Sequence, residues 1–338
     1  IGDEFVLGLL QNGTLVSWGQ DEAGIHQSII PSSLRTLLFK DVAAGIGDAY
    51  ALDENGNLYT WGENLYGAGN IPAIAQTNVK GIGAGIRFAY AILSDNSLVG
   101  WGRNDWGQTN IPAQATNIMM VDGGDRHAVA LRGDGTVVAW GDNRMGQASV
   151  PPGLIGVVAV SAAQDHTLAL LDTGRVVAWG SNRYGESDVP ANATDIVKIA
   201  AGRDCSLALK ADGTLVMWGN ARYYNFPPEA RMYPLVTVDS GIINSVVSTR
   251  NGQMYVAGLS RADLGVMVSR TPTSSPLITE TPSLTRVPTA SYTPSLTRSQ
   301  TPTITLTPSR TWTRTWTPSR TIPKTPSHTK FPTYTRTP

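Results

Sequence analysis

The sequence predicts an all-β chain folded as a seven-bladed β-propeller, and three observations carry that prediction. Trp-Gly pairs begin at Trp18, Trp61, Trp101, Trp140, Trp179 and Trp218, spaced 43, 40, 39, 39 and 39 residues, and a degenerate copy, Ala257-Gly258, follows another 39 along. Tight-turn dipeptides keep a similar step: Asn12-Gly13, Asn55-Gly56, Asn96-Ser97, Asp134-Gly135, Thr173-Gly174, Asp212-Gly213 and Asn251-Gly252. Units of about 39 residues cannot bury both faces of their own sheets, and seven stacked radially bury them against one another.

Within a unit the elements are readable. In Arg132–Gln147, RGDGTVVAWGDNRMGQ, Asp134-Gly135 is a turn and Thr136–Trp140 has the alternation of a partly buried strand. A matching strand, His127–Leu131, lies ahead of the turn, so the pair forms a hairpin. Gly141 lets the backbone turn sharply out of the second strand. An upstream apolar segment running into small residues, such as Ile196–Gly202, supplies a third strand. Unit 1 begins at its second strand, with Ile1-Gly2 where later units have Ala-Gly, which reads as a mature or trimmed product. Its missing strand comes from residues 274–280, from 264–268, or from a neighbouring chain docked on the open edge. The propeller spans 1–270, with ring closure extending it to 280.

Segments such as Ala162–Glu186, AAQDHTLALLDTGRVVAWGSNRYGE, resemble the repeat of the regulator of chromosome condensation family. The near 39-residue period is most similar to its compact bacterial branch, which includes a propeller-type β-lactamase inhibitor protein. The resemblance covers about residues 1–270 and implies the propeller fold; in the inhibitor-type relatives the loops after Trp-Gly make the partner contacts. Departures fall in the last unit, where Ala257 replaces Trp, and in the unit before it, where Asn220–Asn225 lacks the Gly-Gln ending.

No residue pattern points to catalysis, a cofactor or a metal. Phe5, Asp48, Phe88, His127, His166, Cys205 and Asn244 fill one repeat position in turn, so the two histidines occupy a structural slot. His26 and His328 lack metal-ligand spacing, and no Walker loop, His-Glu-x-x-His or Gly-x-Ser-x-Gly occurs. The single cysteine excludes an intrachain disulfide.

The loops after Trp-Gly are the candidate recognition site. Tyr66, Trp106, Met145, Tyr184 and Tyr223 share one repeat position, and Arg103, Arg144, Arg183 and Arg222 lie close by, which symmetry places on one face. Tyr, Trp and Arg make up the hot spots of protein interfaces. A protein partner on this face is one expectation, aromatic stacking on a sugar another, and burial of the rings between blades a third.

Residues 271–338 are a different material: 22 Thr, 9 Ser and 12 Pro among 68 residues. Proline at this density blocks helix and interior strand and favours an extended, polyproline-II-like path of roughly 200 Å. Such a tract reads as an O-glycosylated stalk, with Thr281, Thr285, Thr293, Thr297, Thr301, Thr303, Thr305, Thr307, Thr311, Thr313, Thr315 and Thr317 as candidate sites. Asn12 and Asn192 begin N-glycosylation sequons. The charge divides with the composition: residues 1–270 hold 18 basic and 25 acidic residues, residues 271–338 hold 8 and 1. Arg310–Arg320 mixes basic and aromatic residues, but scattered charges on a proline-broken chain argue against nucleic acid. Thr-x-Thr alternation in 301–307 and 311–317 suits strand addition to a neighbour. No run of about 18 apolar residues suggests a membrane span. The sequence therefore predicts a non-enzymatic extracellular protein, a propeller head on a glycosylated stalk that self-associates into a surface fibre. The alternative is a propeller that binds a protein partner through its loops, with the tail as linker.

Overall fold

Hairpins bearing period-two alternation and Gly-Gln punctuation can only pair antiparallel and close to home, and that is what the chain does. The computed structural model describes residues 5–19, 27–241, 244–250 and 252–258. The closing segments proposed at 264–268 and 274–280, His26, His328 and the whole stretch 271–338 with its twelve candidate threonines lie outside the described residues. Blade 1 holds β1 (Phe5–Leu9) and β2 (Leu15–Gly19); blade 2 holds β3 (Phe39–Ala44), β4 (Asp48–Asp53) and β5 (Leu58–Gly62). Blade 3 follows with β6 (Val79–Gly85), β7 (Phe88–Leu93) and β8 (Leu98–Gly102), and blade 4 with β9 (Ile118–Gly123), β10 (His127–Arg132) and β11 (Val137–Gly141). Blade 5 is β12 (Val157–Ala162), β13 (His166–Leu171) and β14 (Val176–Gly180); blade 6 is β15 (Ile196–Ala201), β16 (Cys205–Lys210) and β17 (Leu215–Gly219). Blade 7 is β18 (Leu235–Ser240), β19 (Asn244–Thr249) and β20 (Met254–Gly258). Six sheets are thus three-stranded meanders and blade 1 is two-stranded among the described residues. This is the predicted seven-bladed propeller, with blade 1 lacking an inner strand among those residues.

The first strand of each complete blade touches its counterparts in the neighbouring blades and lines a central cavity of about 200 Å³. Near its start each carries a β-bulge, so Lys40, Lys80, Met119, Val158, Val197 and Val236 fall outside the ladder. That expulsion explains why three apolar side chains, Met119, Val158 and Val197, stand exposed on successive blades. The middle strands are the most buried: β4 and β7 are buried along their whole length. Turn chemistry follows the sequence with one shift of register. The turn of blade 3 is Asp95-Asn96 rather than Asn96-Ser97, because Asn96 takes the left-handed φ of +70° that Gly135 takes at +78° in blade 4.

The seams between blades are hydrogen-bonded by a rule visible once the repeats are superposed. The Trp of one blade donates its indole N–H to the backbone carbonyl closing the previous blade's loop: Trp140 to Gln108 at 2.7 Å, Trp179 to Gln147 at 3.0 Å, Trp218 to Glu186 at 2.8 Å. Each of these carbonyls takes a second donor, from Tyr90, Thr167 and Ser206 respectively, so both lone pairs are used in a buried place where an unmet acceptor is costly.

The slot shared by His127 and His166 belongs to the same seams. His127 Nε2 lies 2.9 Å from Thr167 Oγ1, and His166 Nε2 lies 2.9 Å from Ser206 Oγ. Burial pushes the two imidazoles down to about 3 and about 4, so they pack as neutral rings. Where the slot is Phe, as at Phe5 and Phe88, the facing residue is Ala49 or Ala128 and the seam is apolar. The two histidines thus go with a hydroxyl one blade on, and the phenylalanines with a methyl.

Candidate binding face

The loops that follow β5, β8, β11 and β14 emerge at the end of the barrel where each second strand begins, and local chemistry fixes them firmly. An Asn three residues after each Trp opens the loop: the side-chain oxygens of Asn64, Asn104, Asn143 and Asn182 accept from the N–H of Gly69, Thr109, Ala148 and Ser187 at 2.8 to 3.0 Å. Their amide groups donate to Asn70, Asn110, Ser149 and Asp188 across the loop base. The Gly-Gln ending then turns back on the loop. Gln108 Oε1 accepts from Trp106 N–H and Gln147 Oε1 from Met145 N–H, both at 2.9 Å, while Glu186 Oε2 accepts from Tyr184 N–H at 2.6 Å. Burial opposes the charge of Glu186, yet the Ser181 hydroxyl and backbone N–H groups together hold its carboxyl below the usual range. Gly141, at φ +96°, begins such a loop, and a Cβ there would lie 2.5 Å from the carbonyl oxygen of Arg126. The Asn column escaped the sequence reading, although its fixed offset from Trp was the signal that reveals it.

The result is a set of large side chains held outward by rigid backbone. Tyr66, Trp106, Met145 and Tyr184 are 60%, 38%, 59% and 46% exposed. Guanidinium groups lie over the rings: Arg87 and Arg103 at 5.9 and 5.6 Å from the Tyr66 centroid, Arg126 and Arg144 at 5.3 and 4.0 Å from that of Trp106, and Arg183 at 5.6 Å from that of Tyr184. Carboxylates hold several of these cations in turn: Glu63 with Arg87 at 3.3 Å, Asp105 with Arg103 at 2.8 Å and Asp142 with Arg144 at 2.7 Å. Hydrogen bonding from Arg144 keeps the Asp142 carboxyl below its ordinary range. Blades 3 and 4 build this pair in opposite order, Arg103 then Asp105 but Asp142 then Arg144, with the same outcome.

Two positions expected on this face behave differently. Tyr223 is 7% exposed and packs inward with Phe226 and Ala257, so it is not on the face. Its loop lacks the Gly-Gln clasp, and Ala257 leaves the space that a Trp fills in other blades; Tyr223 and Phe226 take it. The two departures noted in the sequence are one compensation. Arg103 is on the face but its side chain is only 13% exposed, tucked beneath Tyr66 between Asp105 and Asp125. Arg222 is exposed, and its N–H is held by Asn220. Asn12 and Asn192 both stand exposed, Asn12 in a hairpin turn where its side chain accepts from Thr14.

Among the described residues, no three His, Cys, Asp or Glu side chains are grouped to hold a metal ion. Cys205 is buried, and desolvation pushes its thiol up to about 12. No helix among the described residues is long and apolar enough to cross a membrane.

A ring of meander blades with clasped loops on one end defines a β-propeller with a loop face rich in aromatic and arginine side chains. The repeat of three blades is of a known kind: residues 121–147, 157–186 and 196–224, one stretch from each of blades 4 to 6, match the model of the Regulator of chromosome condensation (RCC1) repeat. Solved structures agree on the fold. Prp20p of Saccharomyces cerevisiae superposes with a TM-score of 0.63 at 17% identity, over 78% of this chain and 82% of that one. The WD40 ectodomain of the receptor kinase ACR4 from Arabidopsis thaliana gives 0.60 at 19% identity, over 75% and 91%. Yeast RCC1 (Prp20) bound to Kap60 gives 0.54 at 22% identity, over 68% and 71%. No curated protein sequence matches the chain.

Proposed function

We propose that the propeller is a non-enzymatic binding head that meets a protein partner on its loop face. The observation that carries this reading is the group Tyr66, Trp106, Met145 and Tyr184, large side chains kept exposed on backbone that is hydrogen-bonded in place. Pre-ordered aromatic and arginine side chains lose little entropy on binding, which is how interface anchors contribute affinity. Structural neighbours lend support, since Prp20p is described with binding to Gsp1p and histones and yeast RCC1 in complex with Kap60. The test is capture of binding proteins from native material by the head, against the head carrying Trp106→Ala and Tyr184→Ala. Loss of the captured protein at unchanged Tm supports the loop face; undiminished capture removes it.

The composition of residues 271–338 favours a second reading, concerning where the head is displayed. With 22 Thr, 9 Ser and 12 Pro, that stretch has the makeup of an O-glycosylated extracellular stalk, which would set the head on a cell surface or along a self-associated fibre. Intact mass spectrometry of native protein checks it: ladders of sugar mass on fragments from 271–338 are expected, and an unmodified tail sinks the stalk.

A further inference from the structure

The loop face is charged in two different ways, and the place where the pattern changes is a site. In blades 3 to 6 the residue just before the middle strand stands at this end: Arg87 before β7, Arg126 before β10, Asp165 before β13 and Asp204 before β16. In blades 3 and 4 that residue is a cation placed over the preceding blade's ring, Arg87 over Tyr66 and Arg126 over Trp106. One blade further on, the equivalent of Arg126 is Asp165, and the residue it should cover is Met145, which is left 59% exposed. A cavity of about 210 Å³ opens there, lined by Asp125, Arg126, Asp142, Arg144, Met145, Gln164 and Asp165.

The charges lining that cavity are neutralised except one. Arg144 is held by Asp142 at 2.7 Å and Arg126 lies 3.5 Å from Asp125. Asp165 accepts a 3.3 Å hydrogen bond from Gln147 Nε2 and has no ion pair among the described residues. Desolvation, then the negative charges of Asp125 and Asp142, hold its carboxyl above the ordinary range, against the smaller opposing pull of Arg126 and Arg144. Gln164 adds a second acceptor, a buried side-chain oxygen without a hydrogen-bond partner. In the next blade desolvation likewise raises the carboxyl of Asp204, but there the field of Arg203 is the first to oppose it and a hydrogen bond from Asn220 adds to that.

We propose that the cavity between Met145 and Asp165 is the seat of an Arg or Lys side chain supplied by the protein partner, a cation standing where the propeller's own Arg87 and Arg126 stand in the two blades before. The incoming stem packs on the Met145 thioether, and its N–H groups meet the Asp165 carboxylate and Gln164 Oε1. An acidic side chain would meet three carboxylates there, Asp125, Asp142 and Asp165, against the two guanidinium groups of Arg126 and Arg144. This deepens the loop-face reading and rests on it.

The probes are fluorescein-labelled peptides of identical length, one carrying six arginines and one six glutamates, read by fluorescence anisotropy at low and at physiological salt. Asp165→Asn is expected to weaken the arginine peptide about tenfold, the effect of losing one anchoring contact. Asp165→Arg fills the seat with the residue of the preceding blades and is expected to abolish that binding while keeping the wild-type Tm. Asp212→Asn removes the same charge from an exposed hairpin turn at the other end of the blades and is expected to change binding less than twofold. Equal losses for Asp165→Asn and Asp212→Asn, or preference for the glutamate peptide, overturn the seat. If Asp165 variants bind normally while Trp106→Ala and Tyr184→Ala weaken the peptide, the seat is wrong and the loop face stands. If none of the four changes binding, both fall.

Discussion

The seams in the middle of the ring and those toward its ends solve one packing problem differently. Between blades 4 and 5, and again between 5 and 6, a Trp fills the gap, its indole N–H and a neighbouring hydroxyl share one carbonyl, and a neutral His meets that hydroxyl from the other side. At the seam of blades 6 and 7 the Trp is replaced by Ala257, and Tyr223 with Phe226 fills the space from the opposite blade. Toward the other end Asp48 occupies the slot of the histidines, but the facing position in the next blade is Ala89, which offers no hydroxyl. What the seam requires is volume and paired polar groups, and it accepts them from either blade. Where only one of the pair is present, stability becomes conditional.

The largest effect should follow from breaking a middle seam. Trp179 is buried, packs among Val160, Ala169 and Ala162, and donates to Gln147. Trp179→Ala is expected to cost about 3–5 kcal/mol, the usual range for emptying a large aromatic site, since Met145, the counterpart of Tyr223 in the loop of blade 4, is held outward by the Gln147 clasp. Trp179→Phe retains most of the volume but leaves the Gln147 carbonyl with Thr167 alone, an expected loss of about 1–2 kcal/mol. Chemical denaturation of the two variants separates volume from hydrogen bond. If Trp179→Ala were no worse than Trp179→Phe, the indole would not be the filler assigned to it here.

The contrast between seams also marks what could be read in the chain beforehand. Blade number, hairpin register and the loop face followed from the Trp-Gly and turn columns, because a fixed step in sequence forces a fixed step around the ring. The clasp formed by Gln108, Gln147 and Glu186 was present as a Gly-Gln column, yet its purpose, holding the N–H of the exposed residue two positions earlier, appears only with the loop closed. Tyr223 was misplaced on the loop face because it occupies the column of Tyr66 and Tyr184; its burial depends on Ala257, 34 residues away in sequence and in another blade. The seat at Asp165 was hidden for the same reason. A charge before a middle strand has no evident meaning until the ring sets it against the previous blade's loop.

Asp48 offers the smaller and more selective test, because repairing that seam should stabilise the protein only over part of the pH range. Burial, above the opposing effect of the Tyr50 hydroxyl and with a contribution from Glu63, raises its carboxyl to about 6 from an ordinary 3.8. The folded state therefore disfavours the charged form, so the penalty is absent below about pH 4, grows as pH rises through 6, and is complete at pH 7. Asp48→Asn removes the ionisation and is expected to raise stability at pH 7 by on the order of 2–3 kcal/mol, with the gain vanishing near pH 4. His127 and His166 work in the other direction. Lowered from 6.5 to about 3 and about 4, they contribute stability above pH 6.5 that is lost as pH falls. Asp41 and Asp122, raised by burial to about 6 and about 7, act with Asp48. Between pH 4 and 6.5 the carboxyls and the imidazoles oppose, which flattens the wild-type profile, and deleting one carboxyl should leave the variant falling more steeply toward acid. A Tm difference between Asp48→Asn and wild type that stayed constant from pH 4 to pH 7 would mean that the Asp48 slot carries no titrating charge.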